Sequence, residues 1–340
     1  MTDPDFFQIN LDESERGEND AALLNRAAEA VETARKRQPD LLAPALATYA
    51  RLLLREGSYE TAQAASQEVL RLDGRSHSAV EALIILGSCA AQTNQLDQAE
   101  QAFNQAAELS RNIHYPQGLS RAMQHLAEWV LLTRGQFFLA LTTIEEAAVL
   151  RENQAGDSWI GDFLRALIYE TVGDRRHCHQ VLDDLLPRVE PGTRLAAAYY
   201  FLWARLAMDE DELEQAQEYL RLGLRVANQM NDVKLRLLIQ LEYSRYYRLT
   251  GNAPAARDWS ENVFHQAQQK NMLYFIGLAL IERAQNNWEL DDPEGAEADL
   301  AEATQVLSPL RAAFELTRIC FLRALWYQQS GRMEREAAWI

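Results

Sequence analysis

Phe163 to Leu167 reads FLRAL, Phe321 to Leu325 reads FLRAL again, and a glycine follows ten residues after each Phe, at Gly173 and Gly331. The offset, 321 − 163 = 158 residues, is four steps of 39 or 40. A chain that repeats at such an interval builds its core by stacking copies of one small unit, each buried against its neighbours. Stepping along at that interval meets Gly57, Asn94, Gly135, Gly173, Asp211, Gly251, Asp291 and Gly331, at gaps of 37, 41, 38, 38, 40, 40 and 40. All eight are Gly, Asn or Asp, the residues that tolerate the left-handed backbone a tight turn between helices requires.

Two further series run in register with the turns. Seven residues before each turn lie Ala50, Gly87, Glu128, Ala166, Ala204, Ser244, Ala284 and Ala324; five residues after it lie Ala62, Ala99, Ala140, Cys178, Ala216, Ala256, Ala296 and Glu336. Seven of eight are small in each series, which is what two helices need where their axes cross closely. Glycine (15) and proline (9) are scarce in 340 residues, and Ala, Leu, Glu, Gln and Arg abound, so the expected class is all-α.

The segment Ala79 to Ser110 carries this pattern most fully, with Leu83, Leu86, Gly87, Leu96, Ala99, Phe103 and Ala106 reading large, large, small, large, small, aromatic, small. On these residues the chain resembles the tetratricopeptide repeat (TPR-like) superfamily, over roughly Asp40 to the C-terminus. The interval of 39 or 40, against the usual 34 or so, and the missing inter-unit proline look like the long-period bacterial signalling type. The resemblance implies a right-handed α-α superhelix, a solenoid of about seven to eight helix pairs. The expected organisation is a flexible acidic segment over residues 1–18, a capping helix over 20–38, and repeats from about residue 40, the last incomplete at 340. Ala337, Ala338, Trp339 and Ile340 make an apolar end, for which the expectations are self-association or continuation into a longer polypeptide.

The net charge of −17 disfavours phosphate backbones and anionic lipid as partners, so neither direct nucleic-acid binding nor a membrane role is expected. Three scattered cysteines, Cys89, Cys178 and Cys320, make no disulfide framework, and no leader-like segment opens the chain; both point to the cytoplasm. His177-Cys178-His179 is the one local cluster of soft ligands, but adjacent helical residues point about 100° apart, so no metal is expected there. No phosphate loop, nucleophile elbow or HExxH helix occurs, and neither an enzyme nor a cofactor is expected.

In a TPR-like solenoid the first helix of each pair lines the concave side. The residue after each small crossing site is then Arg51, Ser88, Trp129, Leu167, Arg205, Arg245, Gln285 and Leu325. Three residues further on come Leu54, Ala91, Leu132, Glu170, Met208, Arg248, Trp288 and Gln328. Arg205, Arg245 and Arg248 suit a carboxylate or phosphate clamp. Trp129, His125, Trp288 and Gln285 complete the candidate groove. The same arginines would equally lie across helix surfaces paired with acidic neighbours. The expected function is a non-catalytic scaffold that binds a peptide or protein segment in that groove. The alternative is a sensory or regulatory segment of a larger bacterial signalling protein, a transcriptional regulator or cyclase, in which the partner is an effector or another domain of the same polypeptide.

Overall fold

The computed structural model describes residues 20–150 and 159–329, and among them every regular element is helical. The expected acidic segment, Gly331, Glu336 and the apolar end lie outside the described residues. In chain order, α1 (Asp20–Arg37) precedes α2 (Leu42–Glu56) and α3 (Tyr59–Leu72), α4 (His77–Gln92) and α5 (Leu96–Asn112), then α6 (Pro116–Leu126) and α7 (Phe137–Val149). There follow α8 (Trp159–Thr171) and α9 (Arg175–Leu185), α10 (Arg194–Asp209) and α11 (Leu213–Gln229), α12 (Val233–Leu249) and α13 (Ala253–Gln269), α14 (Leu273–Glu289) and α15 (Pro293–Leu307), and α16 (Ala313–Gln329).

The chain divides into two compact units, one of Met1–Leu132 and Phe137–Leu164, the other of Thr133–Gln136 and Arg165–Ile340. In unit 1 each helix from α1 to α7 packs on the next, and the first helices of successive pairs also touch, α2 on α4 and α4 on α6. Unit 2 repeats the arrangement from α10 to α16, with α10 on α12 and α12 on α14. The first helices thereby form a continuous face within each unit.

The turns show why the chain reverses where it does. Gly57, Asn94, Gly135, Gly173, Asp211, Gly251 and Asp291 all have positive φ, from 60° to 91°. The residue that follows donates its N–H back to a carbonyl five residues earlier, as in Asp174 to Tyr169 (2.8 Å), Asn252 to Tyr247 (2.8 Å) and Asp292 to Asn287 (2.9 Å). This closes the finished helix. The side chains of Asp174, Asn252 and Asp292 then accept from the N–H three residues on, which opens the next. A second turn series, not expected from sequence, separates one pair from the next at His114, Asn231, Asn271 and Arg311, with φ between 51° and 56°.

Ala50, Ala166, Ala204 and Ala284 are fully buried, and so are Ala62, Ala99, Ala140, Cys178, Ala216, Ala256 and Ala296, each at 0% exposure. At Gly87 even a methyl is too large, because a Cβ there would come within 2.5 Å of the Phe103 ring. Ser244 is the hydroxyl among the small residues, and it has polar partners. It donates to the Ala256 carbonyl (2.8 Å) and accepts from Asn286 Nδ2 (2.9 Å), which also reaches Ser260 Oγ (3.2 Å). Two positions depart from the series. Ala324 is exposed, and Glu128 is only half-buried. Glu128 lies in a π-helical turn, Ala127–Leu131, which holds an extra residue and rotates its neighbours, so Ala127 takes the buried place instead. The 41-residue gap from Asn94 to Gly135 contains this insertion.

Candidate interaction surface

The first-helix face of unit 2 carries a ladder of opposite charges. Arg205 on α10 reaches back to Glu170 on α8 (2.7 Å) and forward to Glu242 on α12 (3.5 Å). Arg245, one turn along α12, pairs with Asp209 on α10 and lies 3.7 Å from Glu242. Arg248 reaches Glu282 on α14 (2.7 Å), and Arg318 on α16 takes the other oxygen of that carboxylate. Arg318 also lies 3.6 Å from Glu315, which accepts from Tyr274 Oη at 3.4 Å. Four arginines thus alternate with five carboxylates across five successive first helices.

Depth sets how each group behaves. Burial alone would push the Glu282 carboxyl up, but the guanidiniums of Arg318 and Arg248 outweigh it and hold its pKa at about 2. Burial likewise opposes the charges of Arg205 and Arg245, and Glu242 with Glu170 or Asp209 overcomes it and raises both. Glu170 and Glu315 go the other way, since burial raises each pKa against the pull of its arginine. Burial also pushes the Cys89 and Cys178 thiols up, to about 11 and about 12, so neither is poised as a nucleophile.

Arg205, Arg245, Arg248, Gln285 and Trp288 therefore share the first-helix face of unit 2, while His125 and Trp129 belong to unit 1. The arginines are bound to carboxylates of their own chain. Gln285 donates to Glu282 Oε1 (3.3 Å), and Trp288 stacks on Trp326 with ring centroids 4.7 Å apart. His125 stacks on Phe103 at 5.7 Å, and Trp129 lies half-buried in the π turn. Asp209, Glu242, Glu282, Glu315 and Arg318 belong to the ladder without being singled out by the repeat offsets. A signal for three of the pairs was present, because Arg248 and Glu282 are 34 residues apart and Arg245–Asp209 and Arg318–Glu282 each 36. His177 and His179 bind separate partners, Asp174 (2.7 Å) and Glu210 (3.0 Å), with Cys178 buried between them. Among the described residues no cluster of three or more metal-ligating side chains occurs, and no helix is long and apolar enough to cross a membrane.

The tetratricopeptide repeat model matches residues 80–113, the segment around Gly87 and Phe103. The fold is tetratricopeptide-like. Among solved structures, a Rap protein complexed with Competence and Sporulation Factor is similar with a TM-score of 0.59 and 13% identity, covering 82% of this chain and 79% of its own. The P58(IPK) TPR domain is 14% identical over 88% of this chain and 95% of its own, with a TM-score of 0.27. No curated protein sequence matches the tetratricopeptide-like chain.

Proposed function

We propose that this tetratricopeptide-like chain is a non-catalytic scaffold that holds a peptide or protein segment along the first-helix face of unit 2. The observation that carries the reading is the ladder itself, whose side chains come from five successive first helices and meet on one surface. Each guanidinium offers five N–H donors, and the internal pairs leave some of them for a ligand. Half-buried Trp288 and Gln285 continue the surface with apolar area and an amide. The fold is one that typically serves protein interaction, and the similar Rap protein is known in a complex with Competence and Sporulation Factor. Both support reading this face as a holder of a partner.

The arginines are poor probes, because removing one strands buried carboxylates. Gln285→Ala with Trp288→Ala is cleaner. With a partner captured from lysate by the wild-type chain, this double variant is expected to weaken binding by at least roughly tenfold. Glu218→Ala with Arg221→Ala, an exposed pair on α11, is expected to leave it unchanged. Equal affinities for wild type and the first variant would remove the face from consideration.

A further inference from the structure

Unit 2 closes four aromatic rings into a circuit on the side of α10 away from the ladder. Tyr199 and Tyr200 on α10 meet edge to face, with centroids 6.1 Å apart. Tyr200 lies 6.3 Å from Tyr219 on α11, Tyr219 lies 6.1 Å from Trp203, and Trp203 lies 6.1 Å from Tyr199. The centre of a circuit this size is about 4–5 Å from each ring, inside the roughly 6 Å over which a ring face attracts a cation. Tyr199 is buried, whereas Tyr200, Trp203 and Tyr219 are half-buried and leave the circuit open to solvent on their side. Trp203 and Arg205 are two residues apart, so they point about 200° apart around the helix, and the circuit is separate from the charged face.

The same seam holds a cation where the chain supplies one. Trp203 stands one residue before Ala204, and Tyr219 three residues after Ala216. The corresponding residues of the α14–α15 pair are Arg283, before Ala284, and Asp299, after Ala296. Arg283 sits over the Phe264 ring of α13, 4.6 Å from its centroid, and donates to Asp299 from Nε (2.9 Å) and Nη2 (2.6 Å). In the α10–α11 pair both positions are aromatic, and among the described residues no arginine or lysine lies over the four rings. The surroundings are acidic. Burial pushes the Tyr199 hydroxyl up, and Tyr219 and the exposed Asp183 of α9 push it further. Glu210 lies 3.0 Å from His179, whose ring meets Trp203 edge to face at 5.2 Å.

We propose that Tyr199, Tyr200, Trp203 and Tyr219 form a binding site for a trimethylammonium group, carried by a free small molecule or by a lysine side chain. The site is independent of the first-helix face of unit 2. A trimethylammonium has no N–H to satisfy, so it gives up little hydration among groups that offer ring faces. A guanidinium calls for the carboxylate that Asp299 gives Arg283, and Tyr219 stands in that place. The net charge of −17 and Asp183 at the rim favour a cation over an uncharged group of the same shape.

The test is a titration of the full chain followed by NMR of the tryptophan indole N–H groups, at constant ionic strength, with Trp203→Phe assigning the Trp203 signal. Choline chloride probes the free ion and acetyl-trimethyl-lysine amide the side chain. Dimethylbutanol, the uncharged carbon isostere of choline, and guanidinium chloride are the comparison ligands, with sodium chloride as the blank. Both trimethylammonium probes are expected to shift the Trp203 signal saturably, with half-saturation at about 1–10 mM. Dimethylbutanol and guanidinium are expected to bind at least about tenfold more weakly. The response should be lost in Tyr219→Leu, kept in Tyr219→Phe, and kept in Gln285→Ala with Trp288→Ala, which separates this site from the unit 2 face. Circular dichroism checks that each variant folds, and the comparison of choline with its isostere on the wild-type chain stays decisive should Tyr219→Leu unfold. Tighter binding of choline would assign the free ion as the source, and tighter binding of the amide the lysine side chain. The absence of a saturable shift would overturn the proposal, as would equal binding of the isostere or of guanidinium, or an unchanged response in folded Tyr219→Leu.

Discussion

Glu282 joins Arg248 to Arg318, and its replacement shows what the ladder is worth. Glu282→Gln is expected to destabilise the chain by about 3–5 kcal/mol at pH 7, because two buried guanidiniums lose the carboxylate they share. Its folded pKa of about 2 lies below the ordinary carboxylate value, so its contribution is present above that value and fades as pH falls toward 2. Urea denaturation should therefore find a smaller cost at pH 3 than at pH 7. Glu170 has the reverse sign. Its pKa is raised, so the stability linked to its protonation is present at low pH and lost as pH rises through the folded value. Glu170→Gln is accordingly expected to cost less than Glu282→Gln at pH 7. Steric limits act at the same scale. Gly87→Ala should cost about 1–3 kcal/mol in the same assay, as the new methyl displaces the Phe103 ring. The arginines of this face were legible in sequence as positions, since Arg205, Arg245 and Arg248 follow the small residues at fixed offsets. Their partners on neighbouring helices were fainter, because an ion pair depends on which helix lies alongside, and the spacings of 34 and 36 residues in Arg248–Glu282 and Arg245–Asp209 gain meaning only once the helices are stacked.

At the scale of the helix and its turns, local chemistry decides most of what the sequence shows. Gly, Asn and Asp mark the turns inside the pairs because the left-handed backbone there penalises other side chains. The turns between pairs use His114 and Arg311 as well, and such residues give no turn signal. His114→Gly should raise stability by up to about 1 kcal/mol, since relief of the left-handed strain exceeds the added chain entropy. Asp232 serves two elements. Its Oδ1 caps α12 by accepting from Leu235 N–H (3.0 Å), and its Oδ2 holds Arg194 Nε (2.5 Å) at the start of α10. Asp232→Ala is expected to cost about 1–2 kcal/mol by thermal or urea melting. The π turn at Ala127–Leu131 was hidden for a different reason. One inserted residue leaves composition almost unchanged, so its traces are the 41-residue gap and the lone Glu128 in a series of small residues.

Across the whole molecule, stability in a stack of helix pairs accumulates from neighbour to neighbour. A lesion should then be felt locally. Native-state hydrogen exchange on Glu282→Gln is expected to show lost protection in α12, α14 and α16 and little change in α2 to α5. Uniform loss across all helices would show instead that the chain melts as a single block. The ladder also bears on how such an array is inherited. Repeats of this kind are ordinarily lengthened by copying a pair in tandem. Here a second α14–α15 would not be neutral, because Trp288 and Arg248 occupy the same position, four residues past Ala284 and Ser244. The original Glu282 would keep Arg248 and face Leu278 of the copy, and the copied Glu282 would keep Arg318 and face Trp288. Each duplicate would hold half of a two-sided contact, so the order of the pairs is written into their charges, and a change in their number needs a matching substitution to survive.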